Sequence, residues 1–372
     1  MKPFDFSVRP FIIIWETTQA CSLVCRHCRA SAELRRHPLE LGTEEAFRFI
    51  DQVAACEPAL FVLTGGDPVR RTDLLEIIRY ATGKGLRVGL TPSATPELVQ
   101  VDFAGLKAAG VARLALSLDG ASRASHDTFR GVPGTWDLTH AAIAKAREAG
   151  LPLQINTTFT RTNLGEFDAF VSLLREIRPE LWSVFQLVPT GRGKTGDLLS
   201  AEEMEELFLR LQRLAAEAPF DIKTTEGHHY RRVVVQQTRN TASLQLRSPL
   251  GINDGKGFLF VSHIGEIYPS GFLPLRTGNV RTDNLLAVYR DNPIFRQLRD
   301  SEALGGKCGL CEFRKLCGGS RARAYAMTGD YMAEEPLCLY QPRRAGEPDA
   351  SIPVNARARS VEPVAPSPVS IL

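Results

Sequence analysis

Phe11 to Ser31 reads FIIIWETTQACSLVCRHCRAS. The run FIIIW is apolar without alternation and mostly β-branched, the pattern of a strand buried on both faces of a parallel sheet. The polar stretch after it carries three thiols, Cys21, Cys25 and Cys28, just past the C-terminal end of that strand. Three close thiols without a fourth nearby suit an iron-sulfur cluster that keeps one iron open to a non-protein ligand, whereas a closed zinc site wants four donors.

Working outward, the first strand opens a regular alternation. A helical pattern over 43–56 precedes the apolar run ALFVL at 59–63, which is closed by Thr64-Gly65-Gly66-Asp67-Pro68. Helices over 72–84, 96–109, 138–149 and 163–175 then interleave with strands over 87–90, 113–117, 153–158 and 182–187. Strand-helix repeats of this kind predict parallel strands with right-handed crossovers, hence an α/β fold built as a partial (β/α)6 TIM-like barrel. Barrel chemistry sits at the C-terminal strand ends. The thiols, Gly65-Gly66, Pro92-Ser93, Ser117, Asn156 and Thr158, and PTGRG at 189–193 all fall there.

Composition narrows the class. The 372 residues are 44% hydrophobic, enough for one large domain and a smaller one, and 45 basic against 42 acidic residues give a net charge of +3, which makes no electrostatic case for nucleic acid. The N-terminus has no signal-peptide pattern and no run reaches membrane-spanning length, so a cytoplasmic protein without a membrane role is expected. The eight cysteines fall into a three (Cys21, Cys25, Cys28), a lone Cys56 and a four (Cys308, Cys311, Cys317, Cys338). That is no disulfide framework; in a reducing compartment it reads as metal sites, with Cys56 as a small buried hydrophobe.

Past the barrel, 200–216 reads as a helix capped by Ser200 with Glu203, and 222–247 is polar, basic and hard to assign. A β-hairpin is expected over 257–268 and a helix over 284–298. The domains expected are an extension at 1–9, a core barrel at 10–218, a bridging segment at 219–250, a small auxiliary domain at 251–342 and a disordered tail at 343–372.

The spacing CxxxCxxC after the first strand resembles the signature of the radical S-adenosylmethionine (SAM) enzymes. That resemblance implies a [4Fe-4S] cluster on Cys21, Cys25 and Cys28 as the catalytic centre. It also implies cleavage of SAM to a 5′-deoxyadenosyl radical that abstracts hydrogen. Gly65, Gly66 and Asp67 resemble the family's Gly-Gly-Glu segment, with Asp in place of Glu, and Ser117, Asn156 and Thr158 resemble its strand-end contacts to SAM. His27, where the family usually has an aromatic residue, reads as an imidazole packed beside the cluster. The pattern Cys308-x2-Cys311-x5-Cys317 followed by Cys338 resembles the SPASM-type extension, implying one auxiliary [4Fe-4S] cluster. Ser270 stands where a second auxiliary cluster would take a thiol. A zinc knot on the same four thiolates is the alternative.

Within that group, TPSAT at 91–95, GEIYPSG at 265–271 and CGGSRARAYAMTGDY at 317–331 resemble the radical SAM enzymes of the siroheme-dependent heme pathway, with Ser320 where those relatives carry Cys. The resemblance implies oxidative decarboxylation of an iron-porphyrin heme precursor. Arg161, Arg192, Arg231, Arg232, Arg321 and Arg323 are then candidate propionate partners, and His228 and His229 candidate iron ligands. Flavodoxin or ferredoxin is the implied electron donor. The alternative enzyme is a maturase of a ribosomally made peptide or cofactor precursor. A non-catalytic iron-sulfur protein is the third reading, against which the open three-thiol site speaks.

Overall fold

The structure is a computed structural model that describes residues 4–238 and 251–343. The expected tail and the end of the basic 222–247 stretch lie largely outside the described residues.

The elements are β1 (Ile12–Glu16), α1 (Thr43–Ala55), β2 (Leu60–Thr64), α2 (Leu74–Gly83), β3 (Val88–Leu90), α3 (Phe103–Ala108), β4 (Val111–Ser117), α4 (Arg123–Arg130), α5 (Thr135–Glu148), β5 (Leu153–Phe159), α6 (Phe167–Ile177), β6 (Leu181–Gln186) and α7 (Ala201–Ala215). They continue with β7 (Asp221–Thr225), α8 (Tyr230–Gln237), β8 (Phe258–Val261), β9 (Glu266–Tyr268), β10 (Gly278–Asn279), α9 (Leu285–Asp291), α10 (Pro293–Arg299), α11 (Gly306–Leu310) and α12 (Arg321–Thr328). One sheet runs β10-β9-β8-β1-β2-β3-β4-β5-β6-β7. From β8 through β7 every pairing is parallel, and only the β8–β9–β10 edge is antiparallel. The sheet stays open between its edge strands β7 and β10, which makes the barrel partial.

Three features depart from the sequence expectation. A seventh parallel strand, β7, lies in the expected bridging segment; its residues, DIKTT, lack an apolar run because it is an edge strand with no fully buried position. The first strand of the expected auxiliary domain, β8, pairs with β1 from Ile12↔Phe258 to Trp15↔Val261, so the sheet crosses that boundary. A short helix for which the sequence reading has no counterpart, α4, follows β4, capped at Ser122 by reciprocal bonds with Ser125 and ended by Gly131 at φ 73°.

Strand alternation divides the sheet into two faces. Ile13, Trp15, Phe61, Leu63, Leu114, Leu116, Ile155, Trp182 and Val184 pack against the helices, with Trp15 edge-on to Phe49 at 5.4 Å. The other face lines the lumen and is mixed: Ile14, Val62 and Phe260 on one side, Ser117, Asn156, Ser183 and Lys223 on the other.

Two buried side chains fix the strand-end loops. Arg71 donates through Nη1 to the carbonyls of Thr17 and Leu41, both at 2.9 Å, and forks onto Asp73 at 2.9 and 2.7 Å. Removing one member of a buried pair leaves the other uncompensated and costs about 3–5 kcal/mol. We therefore expect Arg71→Met to lower stability by about 3 kcal/mol in urea unfolding, this partner Asp73 being close to the surface. Asp67 ties the loop after β2 to that after β3: its carboxylate accepts from Val69 N (3.2 Å), Ser93 N (3.2 Å) and Thr95 Oγ1 (2.9 Å). Burial pushes its pKa up to about 6 despite these donors. Because the folded state holds this proton more tightly, Asp67 adds stability at low pH that is lost as pH rises through about 6. Between pH 5 and pH 7 this amounts to about 1 kcal/mol, and Asp67→Asn should remove that component from the pH dependence of unfolding.

Candidate active site

The loop from Thr17 to Ala32 has almost no regular structure, yet neighbouring backbones hold it closely. Gly66 N donates to Thr18 O at 2.8 Å and Asp67 N to Ala20 O at 2.7 Å. A Cβ on Gly66 would lie 2.5 Å from the carbonyl oxygens of Gln19 and Ala20, so this approach requires glycine. On the far side Gly191, at φ 59°, brings the turn after β6 against the third thiol: Arg192 N donates to Cys28 O at 3.0 Å, and a Cβ on Gly191 would meet that oxygen at 2.4 Å. Arg192 also donates from Nε to Cys25 O at 3.0 Å and from Nη1 to Ala32 O at 3.2 Å.

Cys21, Cys25 and Cys28 line one cavity of about 210 Å³ together with Gly65, Gly66, Ser93, Ser117, Arg130, Asn156, Thr158 and the apolar Leu187, Val188 and Phe272. Backbone amides point at two of the sulfurs, Leu23 N to Cys21 Sγ at 3.4 Å and Ala32 N to Cys28 Sγ at 3.5 Å. Ser93 Oγ is 3.5 Å from Cys21 Sγ. Burial pushes the Cys21 and Cys25 thiols up, so these sulfurs need a cation to ionise. Three thiols on one wall, amides aimed at sulfur and a roomy polar cavity beside them fit a cluster that shares an iron with a small ligand.

Arg130, at the end of α4, donates to Asp119 Oδ2 at 3.0 Å, and its positive charge favours ionised Cys25 and Cys21. The other carboxylate oxygen of Asp119 accepts from Thr158 N at 2.8 Å. Sequence reading missed this pair; the signal was the polar tail Leu118-Asp119-Gly120 at a strand end, eleven residues ahead of an arginine that stops before glycine. His27 packs against Phe129 with its ring tilted at 50° and 4.6 Å between centroids, and burial lowers it to about 4, so its ring is neutral as a packing residue's would be. A second missed group is Glu16, which ends β1 and pairs with Arg29 Nη2 and with His263 Nδ1, both at 2.6 Å, joining the thiol loop to the β8 hairpin.

Of the residues expected to meet SAM, Gly65, Gly66, Ser117, Asn156 and Thr158 all line the cavity. Asp67 does not: its carboxylate is wholly occupied by the β3 loop and its own turn.

The second thiol group also converges. Cys308, Cys311, Cys317 and Cys338 line a small cavity of about 30 Å³ with His229, Arg232, Glu335 and Tyr340. Glu335 N donates to Cys308 Sγ at 3.3 Å and Gly319 N to Cys317 Sγ at 3.4 Å. Burial raises Cys311 to about 11 and Cys317 to about 12, so these thiols also require a metal centre to ionise. Four sulfurs lining one small cavity suit a closed cluster. At the place of a further thiol, Ser320 caps α12 and donates to the Glu226 carboxyl, and Ser270 and Glu226 both bond to the buried carboxyl of Asp254. Glu226 and Asp254 are both raised, chiefly by burial.

The arginine candidates for substrate are engaged elsewhere. Arg192 holds the thiol loop, Arg231 donates to Leu316 O, and Arg232 pairs with Glu205 beside the second thiol group. Arg321 bonds the carbonyls of Tyr331 and Ala333, and Arg323 pairs with Glu335 at 2.8 and 2.9 Å. Arg161 lies exposed, 3.7 Å from Glu203. His229 lies at the second thiol group, edge-on to Phe208 at 4.7 Å, and burial drives both His228 and His229 neutral.

Residues 15–174 match the model of the radical SAM superfamily. The chain is 41% identical over 343 residues to the AdoMet-dependent heme synthase of Methanosarcina barkeri, covering 90% of this chain and 97% of that one. It is 42% identical to the AdoMet-dependent heme synthase of Nitratidesulfovibrio vulgaris, over 90% of this chain and 93% of that one. Its fold matches Streptococcus suis SuiB bound to S-adenosylmethionine with a TM-score of 0.67 at 17% identity, over 90% and 78% of the two chains. The chain is an enzyme that uses SAM and a [4Fe-4S] cluster, and it belongs to the radical SAM superfamily.

Proposed function

We propose that Cys21, Cys25 and Cys28 hold the SAM-binding cluster, that Cys308, Cys311, Cys317 and Cys338 close the auxiliary one, and that the substrate is an iron-porphyrin heme precursor undergoing oxidative decarboxylation of its side chains. The observation that carries the substrate is likeness over nine-tenths of the chain to two proteins named AdoMet-dependent heme synthase. When bound, cluster and SAM supply a 5′-deoxyadenosyl radical that removes hydrogen from an unreactive carbon. The protein's own part is orientation and dryness. Gly65 and Gly66 let the cofactor approach main chain, with Asp67 acting only through its backbone and by bracing the β3 loop. Ser117, Asn156 and Thr158 present polar atoms from two adjacent strands. Arg130 offsets the charge of the thiolates, and Leu187, Val188 and Phe272 exclude water. We divide the chain into a core at 10–218, a bridge at 219–250 and an auxiliary-cluster domain at 251–342, flanked by 1–9 and a tail at 343–372, with one sheet shared across core, bridge and auxiliary domain. A flavodoxin or ferredoxin in the cytoplasm supplies the electron.

Three measurements test this. Reconstituted protein should carry about eight irons per chain, and stoichiometric zinc would sink the two-cluster assignment. Under anaerobic reduction Cys21→Ala should release no 5′-deoxyadenosine, while Cys311→Ala keeps part of the wild-type rate; equal loss in two folded proteins would contradict the division of roles. Titration with iron-coproporphyrin should perturb the Soret band, and an unchanged spectrum would turn the reading towards a peptide substrate.

A further inference from the structure

Parallel barrels ordinarily fill their lumen with bulky branched side chains. Here one row across the luminal face is polar from β4 to β7: Ser117 on β4 pairs in register with Asn156 on β5, Asn156 with Ser183 on β6, and Ser183 with Lys223 on β7. Its neighbour Ile222 packs on the helix side, which places Lys223 on the lumen side. Ser117 and Asn156 line the cavity beside the three thiols. With neighbouring strands about 4.8 Å apart, the Lys223 backbone stands roughly 10 Å from that of Asn156, a gap that its flexible four-carbon stem partly spans.

Lys223 is partly buried, and among the described residues it makes no hydrogen bond or ion pair. Of the cations nearer the thiols, Arg130 is matched by Asp119 and Arg29 by Glu16, while Arg192 is held by the carbonyls of Cys25 and Ala32. Desolvation, with Arg113 also repelling it, brings the Lys223 ammonium down to about 8. An unpaired ammonium in a partly desolvated lumen gains from any carboxylate that reaches it.

We infer that Lys223 is a substrate-anchoring residue whose ammonium pairs with a carboxylate of the substrate bound beside SAM. That carboxylate is a porphyrin propionate if the proposed decarboxylation is right, and the inference rests on that reading. No bond forms or breaks at Lys223; it fixes which carboxylate-bearing edge lies deep and which lies against the thiol loop.

The test compares wild type, Lys223→Gln and Lys223→Arg by Soret titration with iron-coproporphyrin and with the same porphyrin methyl-esterified at its propionates. SAM cleavage without porphyrin reports the fold and cluster of each preparation. Wild type should bind the free acid about tenfold more tightly than Lys223→Gln does, Lys223→Arg should recover most of that, and the ester should bind the wild type and Lys223→Gln alike. If Lys223→Gln binds the free acid as wild type does, or weakens acid and ester equally, Lys223 is not the anchor while the substrate reading stands. If wild type binds neither porphyrin, both readings fall.

Discussion

The first site depends on how closely one backbone can approach another. Real Cβ atoms essentially never come within 3.0 Å of a neighbouring heavy atom, and the thiol loop is packed from two sides at distances that only glycine permits. Gly65 and Gly66 press on Thr18 to Ala20, and Gly191 presses on Cys28 and Arg29. The loop has little regular hydrogen bonding of its own, so its shape is borrowed from the ends of β2 and β6 through the bonds of Gly66, Asp67 and Arg192. The spacing of the three sulfurs is thus a tertiary property, set by strands distant in sequence.

The second site is bound to the first by charge. Arg323 reaches from α12 to Glu335, which precedes Cys338, and also donates to the carbonyls of Glu226, at the end of β7, and Leu187, at the end of β6. Arg323 and His229 hold the Glu335 carboxyl down to about 2 against the cost of burial. Such a pair adds little net stability compared with an apolar substitute, but breaking it strands a buried charge. Its consequence is positional: α12, the second thiol group and the wall of the first cavity keep one relative arrangement. Glu16, between Arg29 and His263, makes a second link where β1 meets β8.

The legible parts of the chain were those with strong local signals. FIIIW and ALFVL read as buried parallel strands because both faces are covered, and the two thiol groups were visible from spacing alone. β7 was not, because an edge strand needs no apolar run and DIKTT offers none. Nor was the continuity of the sheet, since the pairing of β8 with β1 joins segments over 240 residues apart and no local pattern encodes it. The partners of the arginines were not legible for a related reason. A sequence shows that Arg192, Arg231, Arg232, Arg321 and Arg323 are cationic but not which carbonyl or carboxylate each already faces. Asp67 resembled a cofactor contact by position, and only the geometry shows its side chain turned to the β3 loop.

The lumen joins these observations into one chemical picture. Its wall at β8, β1 and β2 is apolar, with Phe260, Ile14 and Val62 in one register row. Its wall from β4 to β7 is polar and ends in Lys223. A space with one apolar and one hydrogen-bonding wall suits an amphipathic molecule, and poorly suits one that is uniformly polar, because the apolar wall would strip water from polar groups without replacing it. Polar side chains in a barrel interior forfeit packing that aliphatic ones would supply, so holding them there destabilises the unliganded fold. That cost is expected where binding, rather than folding, fixes residue identity.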